Sequence, residues 1–225
     1  MTYAMRMAYA RLVPVVAVVV AFLAYSLPPY FTGATRVPAT FALHYPLLVG
    51  HVMFAAVAMA AAVLQIWPGL RTRRPALHRR VGRIYFGAAT AAAVCAMAIG
   101  AATPFGPFLA ASNVLLASLW LWFTMNGYLA ARQRRFADHR RHMVTSATLA
   151  LSVITNRIWT PILFVGLQPL RDSVFDGNAQ HYLWFAAGLG AWLGWTIPFV
   201  SVRWWLRRKP VAPSSISQPM HTSRV

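Results

Sequence analysis

Long apolar stretches alternate with short polar segments along almost the whole chain. Each stretch is long enough to cross a bilayer, because a hydrocarbon core takes about 20 apolar residues to span as a helix. The alternation predicts six transmembrane helices, over residues 9–27, 47–67, 84–103, 108–129, 143–165 and 182–205. The predicted fold class is therefore all-α, a polytopic membrane helical bundle.

Composition supports a membrane protein with one domain. Hydrophobic residues make up 59% of the 225 residues, and glutamate does not occur. We expect a single six-helix domain over residues 1–209 and a disordered cytoplasmic tail over residues 210–225, which are rich in Ser and Pro. The basic start and Ala24-Tyr25-Ser26 loosely resemble a secretory signal with its cleavage site. Because further spans follow, we expect the first helix to stay uncleaved.

The net charge of +18 would suggest nucleic-acid binding in a soluble protein, but here the charge follows the predicted membrane. Of the 21 Lys and Arg residues, only Arg36 and Arg171 lie on one side, and Arg157 lies deep within a span. The other 18, which include Arg203 at the end of the sixth span, lie on the opposite side. Cytoplasmic loops of membrane proteins carry the excess of Lys and Arg. We therefore expect an N-in/C-in multi-pass protein of the bacterial cytoplasmic (inner) membrane, with the lipid bilayer and no nucleic acid as its partner.

Small residues indicate which helix lies at the centre of the bundle, because membrane helices pack closely through them. The third span is the richest in such residues, which include Gly87, Ala88, Ala92, Ala96 and Gly100. We expect this helix to be central. The sixth span carries Gly190-x-x-x-Gly194, which serves either packing within the chain or dimerisation. We favour internal packing, and the oligomeric state stays open.

The fifth span combines several polar side chains with one charge, Arg157. A charged side chain in mid-span costs at least ~2.5 kcal/mol and usually faces a bundle interior or a water-filled cavity. We interpret Arg157 as a site residue, and the alternative is that it extends outward to the membrane surface. His139 precedes it by five helical turns, so both residues share one stripe if the helix begins early enough. Asp138 is the expected N-cap of that helix.

Six of the seven histidines divide into two groups by their depth in the membrane. The inner group is His78, His139 and His142, and the outer group is His44, His51 and His181. Span two alone separates His51 from Gln65 by about 21 Å of helix rise, so one metal ion cannot bind both groups. Gly82 follows His78 by one helical turn, and we expect it to leave room for a flat group.

Several spaced motifs resemble those of a known family. They are His51, Leu64-Gln65, Leu77-His78-Arg79-x-x-Gly82-Arg83-x-Tyr85, His139-Arg140-x-x-Met143 and Asn156-Arg157-Ile158-Trp159. Together they resemble domain-of-unknown-function family 2306, a family of multi-pass bacterial membrane proteins. The resemblance covers about residues 45–165. It implies a multi-helix membrane domain in which these His and Arg positions are the signature, and it names no reaction.

The leading functional hypothesis is a redox protein that holds haem b or a quinone between central helices. Neutral imidazole is the usual ligand of haem iron, and helix-borne histidines near both faces are similar to those of transmembrane di-haem cytochromes b. His78 with either His139 or His142 is the candidate inner pair, whereas His51 would need His44 or His181 as a partner. Arg157 is the candidate for an anionic group of the ligand, and a redox protein is the implied partner.

Two alternatives come from other classes of protein. The first is a small-solute permease or binding protein with a polar cavity around Arg157, in which Asn156, Asn113 and Gln65 bind the substrate. The second is a membrane assembly factor without a ligand. A hydrolase is disfavoured because the spans contain no carboxylates for acid–base chemistry.

Overall fold

The computed structural model describes residues 3–34, 37–67 and 69–208, with the backbone alone for residues 3–9 and 11. Arg36 and the expected tail at 210–225 lie outside the described residues. Within these ranges the chain is helical and contains no strand. Three short helices are α2 (Pro28–Phe31), α4 (Leu70–Arg73) and α8 (Leu170–Ser173). The long helices are α1 (Tyr3–Ser26), α3 (His44–Gln65), α5 (Pro75–Ala101), α6 (Gly106–Arg132), α7 (Phe136–Gly166) and α9 (Ala179–Arg208).

The long helices confirm the all-α polytopic prediction. Within the described residues, six helices are long and apolar enough to cross a membrane, and each coincides with a predicted span. Five of them, all except α3, extend further than predicted at the end where the arginines lie. α5 begins at Pro75, whose ring suits a first helical turn, and α7 begins at Phe136. The early start of α7 brings His139 into the helix.

The expected N-cap of α7 is wrong. Arg135 occupies the N-cap position, and no side chain caps the helix there. Asp138 lies in the first turn, where a negative charge is favourable near the helix N-terminus. Its carboxylate also accepts a hydrogen bond of 2.6 Å from the guanidinium of Arg135.

Consecutive long helices pack side by side as antiparallel neighbours. α3 packs on α5, α5 on α6, α6 on α7 and α7 on α9, while α6 also contacts α9. α1 is attached more loosely, through contacts with α3. One end of the bundle contains the C-terminal ends of α3, α6 and α9 and the N-terminal ends of α5 and α7. It carries most of the described arginines, and we call it the basic face. The other end is the opposite face.

Small side chains from α3 and α5 allow the close packing of the core. α5 lies between α3 and α6, as its alanine content predicted, and its Ala89, Ala92 and Ala93 are completely buried. Burying small residues between helices favours close van der Waals contact in a membrane, where the hydrophobic effect between helices is absent. The main core cluster contains Ala58, Ala61, Ala62, Val81, Tyr85, Ala88, Ala89, Ala92, Ala93, Trp120, Phe123, Leu149, Ala150 and Trp195.

Gly190 and Gly194 of α9 serve packing within the chain. A Cβ added at Gly194 would lie 2.7 Å from the Cα of Asn156, and one at Gly190 would lie 2.9 Å from the Cα of Thr160. Real Cβ atoms do not approach backbone so closely, so only glycine permits the observed approach of α9 to α7. The Gly190-x-x-x-Gly194 motif therefore packs α9 on α7.

Candidate functional site

His139 is held in a defined orientation at the basic face. Its Nδ1 lies 2.8 Å from the carbonyl oxygen of Gly127 in α6. A carbonyl oxygen can only accept, so Nδ1 carries the hydrogen and Nε2 keeps its lone pair. Metal-ligating histidines almost always donate their second ring nitrogen to a carbonyl, a carboxylate or water in this way. The bond to Gly127 therefore orients His139 as such a ligand is oriented.

Three imidazoles from two helices lie at the basic face. His139 and His142 of α7 both lie beside Gly127 of α6, because a Cβ added at Gly127 would lie 3.4 Å from the Cβ of His142. His78 lies in the first turn of α5 at the same face. We call His78, His139 and His142 the inner histidine cluster. The described residues contain no group of three or more His, Cys, Asp or Glu side chains that could hold a metal ion.

Buried polar atoms around this cluster lack hydrogen-bond partners. Within the described part of the chain these atoms are Nδ1 of His78, Nδ1 of His142 and Oε1 of Gln65. The same Gln65 side chain reaches α5, because its Nε2 donates a hydrogen bond of 2.9 Å to the carbonyl oxygen of His78. A buried unsatisfied polar atom costs about 1–3 kcal/mol. Several such atoms around one cluster indicate a site for a further polar ligand.

The room expected beside Gly82 is filled by the Gln65 amide. A Cβ added at Gly82 would lie 2.8 Å from Nε2 of Gln65, and one added at Gly127 would lie 2.5 Å from Sδ of Met143. Both neighbours are the far ends of flexible side chains. Rotation of Gln65 or Met143 would therefore open space beside the histidines without moving the backbone.

A network of buried hydroxyl groups lies deeper in the bundle than the cluster. Tyr85 follows His78 by two helical turns, and its hydroxyl lies 2.6 Å from that of Ser146 in α7. Ser146 in turn lies 2.7 Å from the hydroxyl of Thr124 in α6. The indole nitrogen of Trp120 donates to Tyr85 over 3.3 Å. The sequence motif included Tyr85, but its contact with Ser146 was missed, because the register between α5 and α7 is set by packing.

The outer histidines do not form a common site. Nδ1 of His51 lies 2.9 Å from the carbonyl oxygen of Ala92, which orients this ring in the same way as His139. His44 is buried, and its Nδ1 lies 2.8 Å from the hydroxyl of Thr40. His181 is exposed and packs beside Trp184. Each outer histidine therefore has its own surroundings, and His51 has no second imidazole beside it among the described contacts.

Arg157 and the two asparagines lie apart from the inner histidine cluster. Arg157 follows His139 by 18 residues, about 27 Å of helix rise, and its side chain is exposed. Asn156 packs against Gly194 and accepts a hydrogen bond of 2.9 Å from the Thr160 hydroxyl. Asn113 packs against Gly100 between α5 and α6. Among the predicted site residues, the structure brings Gln65 to His78 and places His139 and His142 beside Gly127 at the same face. Arg157, Asn156 and Asn113 lie elsewhere.

Comparison with known proteins identifies a family and no closer relative. The family model described as "Predicted membrane protein (DUF2306)" matches residues 48–199, which is more than half of the chain. This match extends beyond the region over which the sequence motifs resembled that family. No curated protein matches, and no solved structure matches.

Proposed function

This chain belongs to the DUF2306 family of predicted membrane proteins, and we propose that it is a redox protein. The proposed ligand is haem b, held at the inner histidine cluster. The single observation that supports this proposal is the presence of two buried ring nitrogens without partners at one face of the bundle, Nδ1 of His78 on α5 and Nδ1 of His142 on α7. A pair of histidines from different helices would hold the haem iron.

His78 and His139 are the residues that would hold the haem iron. His139 is the ring of the cluster whose Nδ1–H is bound to a backbone carbonyl. His78 lies on α5, the neighbouring wall of the site, and its Nδ1 is buried without a partner. His142 instead packs against Phe123, with ring centroids 5.7 Å apart. We assign it to the wall of the site.

Bound haem b exchanges single electrons with redox partners. The residues of this chain would hold and shield that group. The Gly127 carbonyl fixes the tautomer of His139, and the apolar core of α5 and α6 limits access of water from the membrane side. Gln65 lies beside the first turns of α5, where rotation of its side chain would regulate the space next to Gly82.

The visible spectrum of the purified protein tests this proposal. The protein should be expressed with adequate haem supply and analysed by reduced-minus-oxidised difference spectra and by pyridine haemochromogen. We expect a Soret band with one haem b per chain, and a weaker, shifted band in His78→Ala, because only one imidazole would then hold the iron. His181→Ala is the matched control, because this exposed imidazole lies at the opposite face. A wild-type protein without a Soret band would overturn the haem assignment.

The same preparations distinguish the other hypotheses. A co-purifying quinone that is lost in His78→Ala, without haem, would favour the quinone form of the redox hypothesis. The permease hypothesis depends on a polar cavity around Arg157, but Asn113 and Asn156 are used in helix packing. Uptake of small anions by proteoliposomes that is lost when Arg157 is replaced would support the permease hypothesis. An assembly factor without a ligand predicts that Arg157→Ala only lowers the amount of protein.

A further inference from the structure

Arg203 differs from the other arginines of the chain in its burial. It is partly buried on α9, whereas every other arginine whose side chain the structure describes is exposed. Its neighbours in sequence, Arg207 and Arg208, are both exposed at the end of the same helix. Withdrawing a guanidinium from water is unfavourable unless an interaction in the protein or with a ligand compensates for it. The excess of arginine on the basic face explains why Arg203 lies at this end of the bundle. It does not explain why its side chain is partly buried.

Aromatic contacts join Arg203 to the inner histidine cluster. Its guanidinium lies over the ring of Phe123, 5.5 Å from the centroid. Phe123 also contacts His142, and Phe199, one helical turn before Arg203, packs on Phe123 with ring centroids 5.8 Å apart. The guanidinium is thus held at the edge of the histidine cluster by a cation–π contact.

No described carboxylate pairs with this guanidinium. Asp138 is bound to Arg135, and Asp172 and Asp176 lie at the opposite face. The cation–π contact leaves the N–H groups of the guanidinium available, and these groups prefer a carboxylate or phosphate. A partly buried guanidinium without an acidic partner, beside imidazoles with unsatisfied nitrogens, is the arrangement of a site that receives an anionic ligand.

We infer that Arg203 binds the anionic edge of the ligand in the inner histidine cluster, taking a propionate carboxylate when that ligand is haem b; this inference rests on the function proposed above. Haem b carries two propionates on one edge of the ring. A carboxylate–guanidinium contact would therefore set the direction of that edge, while the histidines would hold the iron. This role was predicted for Arg157, which is exposed and about 27 Å along α7 from His139. Arg203 takes its place.

Haem titration with two probes tests this inference. Apo-protein in detergent micelles is titrated with haem b and with its dimethyl ester, in which both propionates are neutral, and the dissociation constant is followed at the Soret band. The variants are Arg203→Gln, the conservative Arg203→Lys, and Arg207→Gln as the matched control one turn later on α9. Loss of one charge-assisted hydrogen bond corresponds to about a tenfold or larger rise in the dissociation constant.

We expect Arg203→Gln to weaken haem b binding about tenfold, Arg203→Lys to restore most of the affinity and Arg207→Gln to stay within about twofold of wild type. The dimethyl ester should bind wild type about as weakly as haem b binds Arg203→Gln. The dissociation constant of the ester should be the same for Arg203→Gln as for wild type. A folding defect would instead weaken both probes alike.

Two results would overturn the inference alone: Arg203→Gln binding haem b as tightly as Arg207→Gln does, or equal losses for haem b and its ester in Arg203→Gln. A wild-type protein that binds neither probe would overturn the proposed function together with this inference. The wild-type titration therefore distinguishes failure of the proposed function from failure of this inference alone.

Discussion

The hydroxyl groups of Tyr85 and Ser146 lie 2.6 Å apart and join α5 to α7 inside the bundle. Their hydrogen bonds have only one consistent direction. Thr124 donates to the carbonyl oxygen of Trp120, so Ser146 must donate to Thr124 and Tyr85 to Ser146, while the Trp120 indole donates to Tyr85. The network begins and ends on Trp120 with every hydroxyl hydrogen used. We therefore interpret it as a structural connection of three helices and not as a proton path.

Replacing Tyr85 tests this structural role. Tyr85→Phe leaves the indole N–H of Trp120 without its acceptor and Ser146 without its donor, in a buried environment. We expect the free energy of unfolding to fall by about 1–3 kcal/mol, measured by denaturant or thermal unfolding in detergent micelles.

Tyr128→Phe is the matched control for this prediction. The Tyr128 ring stacks on Phe86 with centroids 4.2 Å apart, and its hydroxyl makes no hydrogen bond within the described part of the chain. We expect this change to alter the free energy of unfolding by less than about 0.5 kcal/mol. Equal losses in the two variants would show that the hydroxyl network does not stabilise the fold.

The contact of α9 with α7 predicts a large effect of a single methyl group. In Gly194→Ala the new Cβ would lie 2.7 Å from Cα and 2.9 Å from the backbone nitrogen of Asn156. Backbone atoms cannot move aside as side-chain ends can, so we expect destabilisation of about 1–3 kcal/mol. Unfolding in detergent micelles measures it.

Gly87→Ala provides the comparison for this substitution. A Cβ at Gly87 meets nothing within 4 Å, and alanine is the better helix former by about 1 kcal/mol. This variant should be as stable as wild type or more stable. If Gly194→Ala were equally well tolerated, α9 would not pack on α7 through this glycine.

The arginine distribution predicts that the basic face lies in the cytoplasm, because cytoplasmic loops carry the excess of Lys and Arg. In a background in which the single cysteine, Cys95, is replaced by alanine, Thr72→Cys marks the basic face and Ser173→Cys the opposite face. We expect a membrane-impermeant maleimide to label Ser173→Cys in intact cells and Thr72→Cys only after permeabilisation. The reverse labelling would contradict the N-in/C-in topology.

The sequence was sufficient to predict the spans and the central helix. Span length depends on the bilayer thickness, and the alanine content of α5 depends on close packing, so both leave a direct pattern along the chain. The predicted fifth span began at residue 143, and His139 was expected on that helix only if it began earlier. The structure has this earlier start, at Phe136.

Contacts between helices could not be predicted in this way. The stripe that contains His139 and Arg157 was identified correctly, but the sequence did not reveal that Arg157 is exposed. Arg203 was counted only among the basic residues at the end of the last span, since its burial depends on where Phe123 and Phe199 lie relative to each other. These features depend on helix register, which a single sequence does not specify.

The central claim is that His78 of α5 and His139 of α7 together bind one ligand, and electron paramagnetic resonance of the ferric protein tests it most directly. Haem iron with two imidazole ligands is low-spin, and removal of either ligand leaves a five-coordinate, high-spin iron. We predict a low-spin signal in wild type and in His142→Ala, and its loss in both His78→Ala and His139→Ala. A low-spin signal that persists in His78→Ala or His139→Ala would contradict the account.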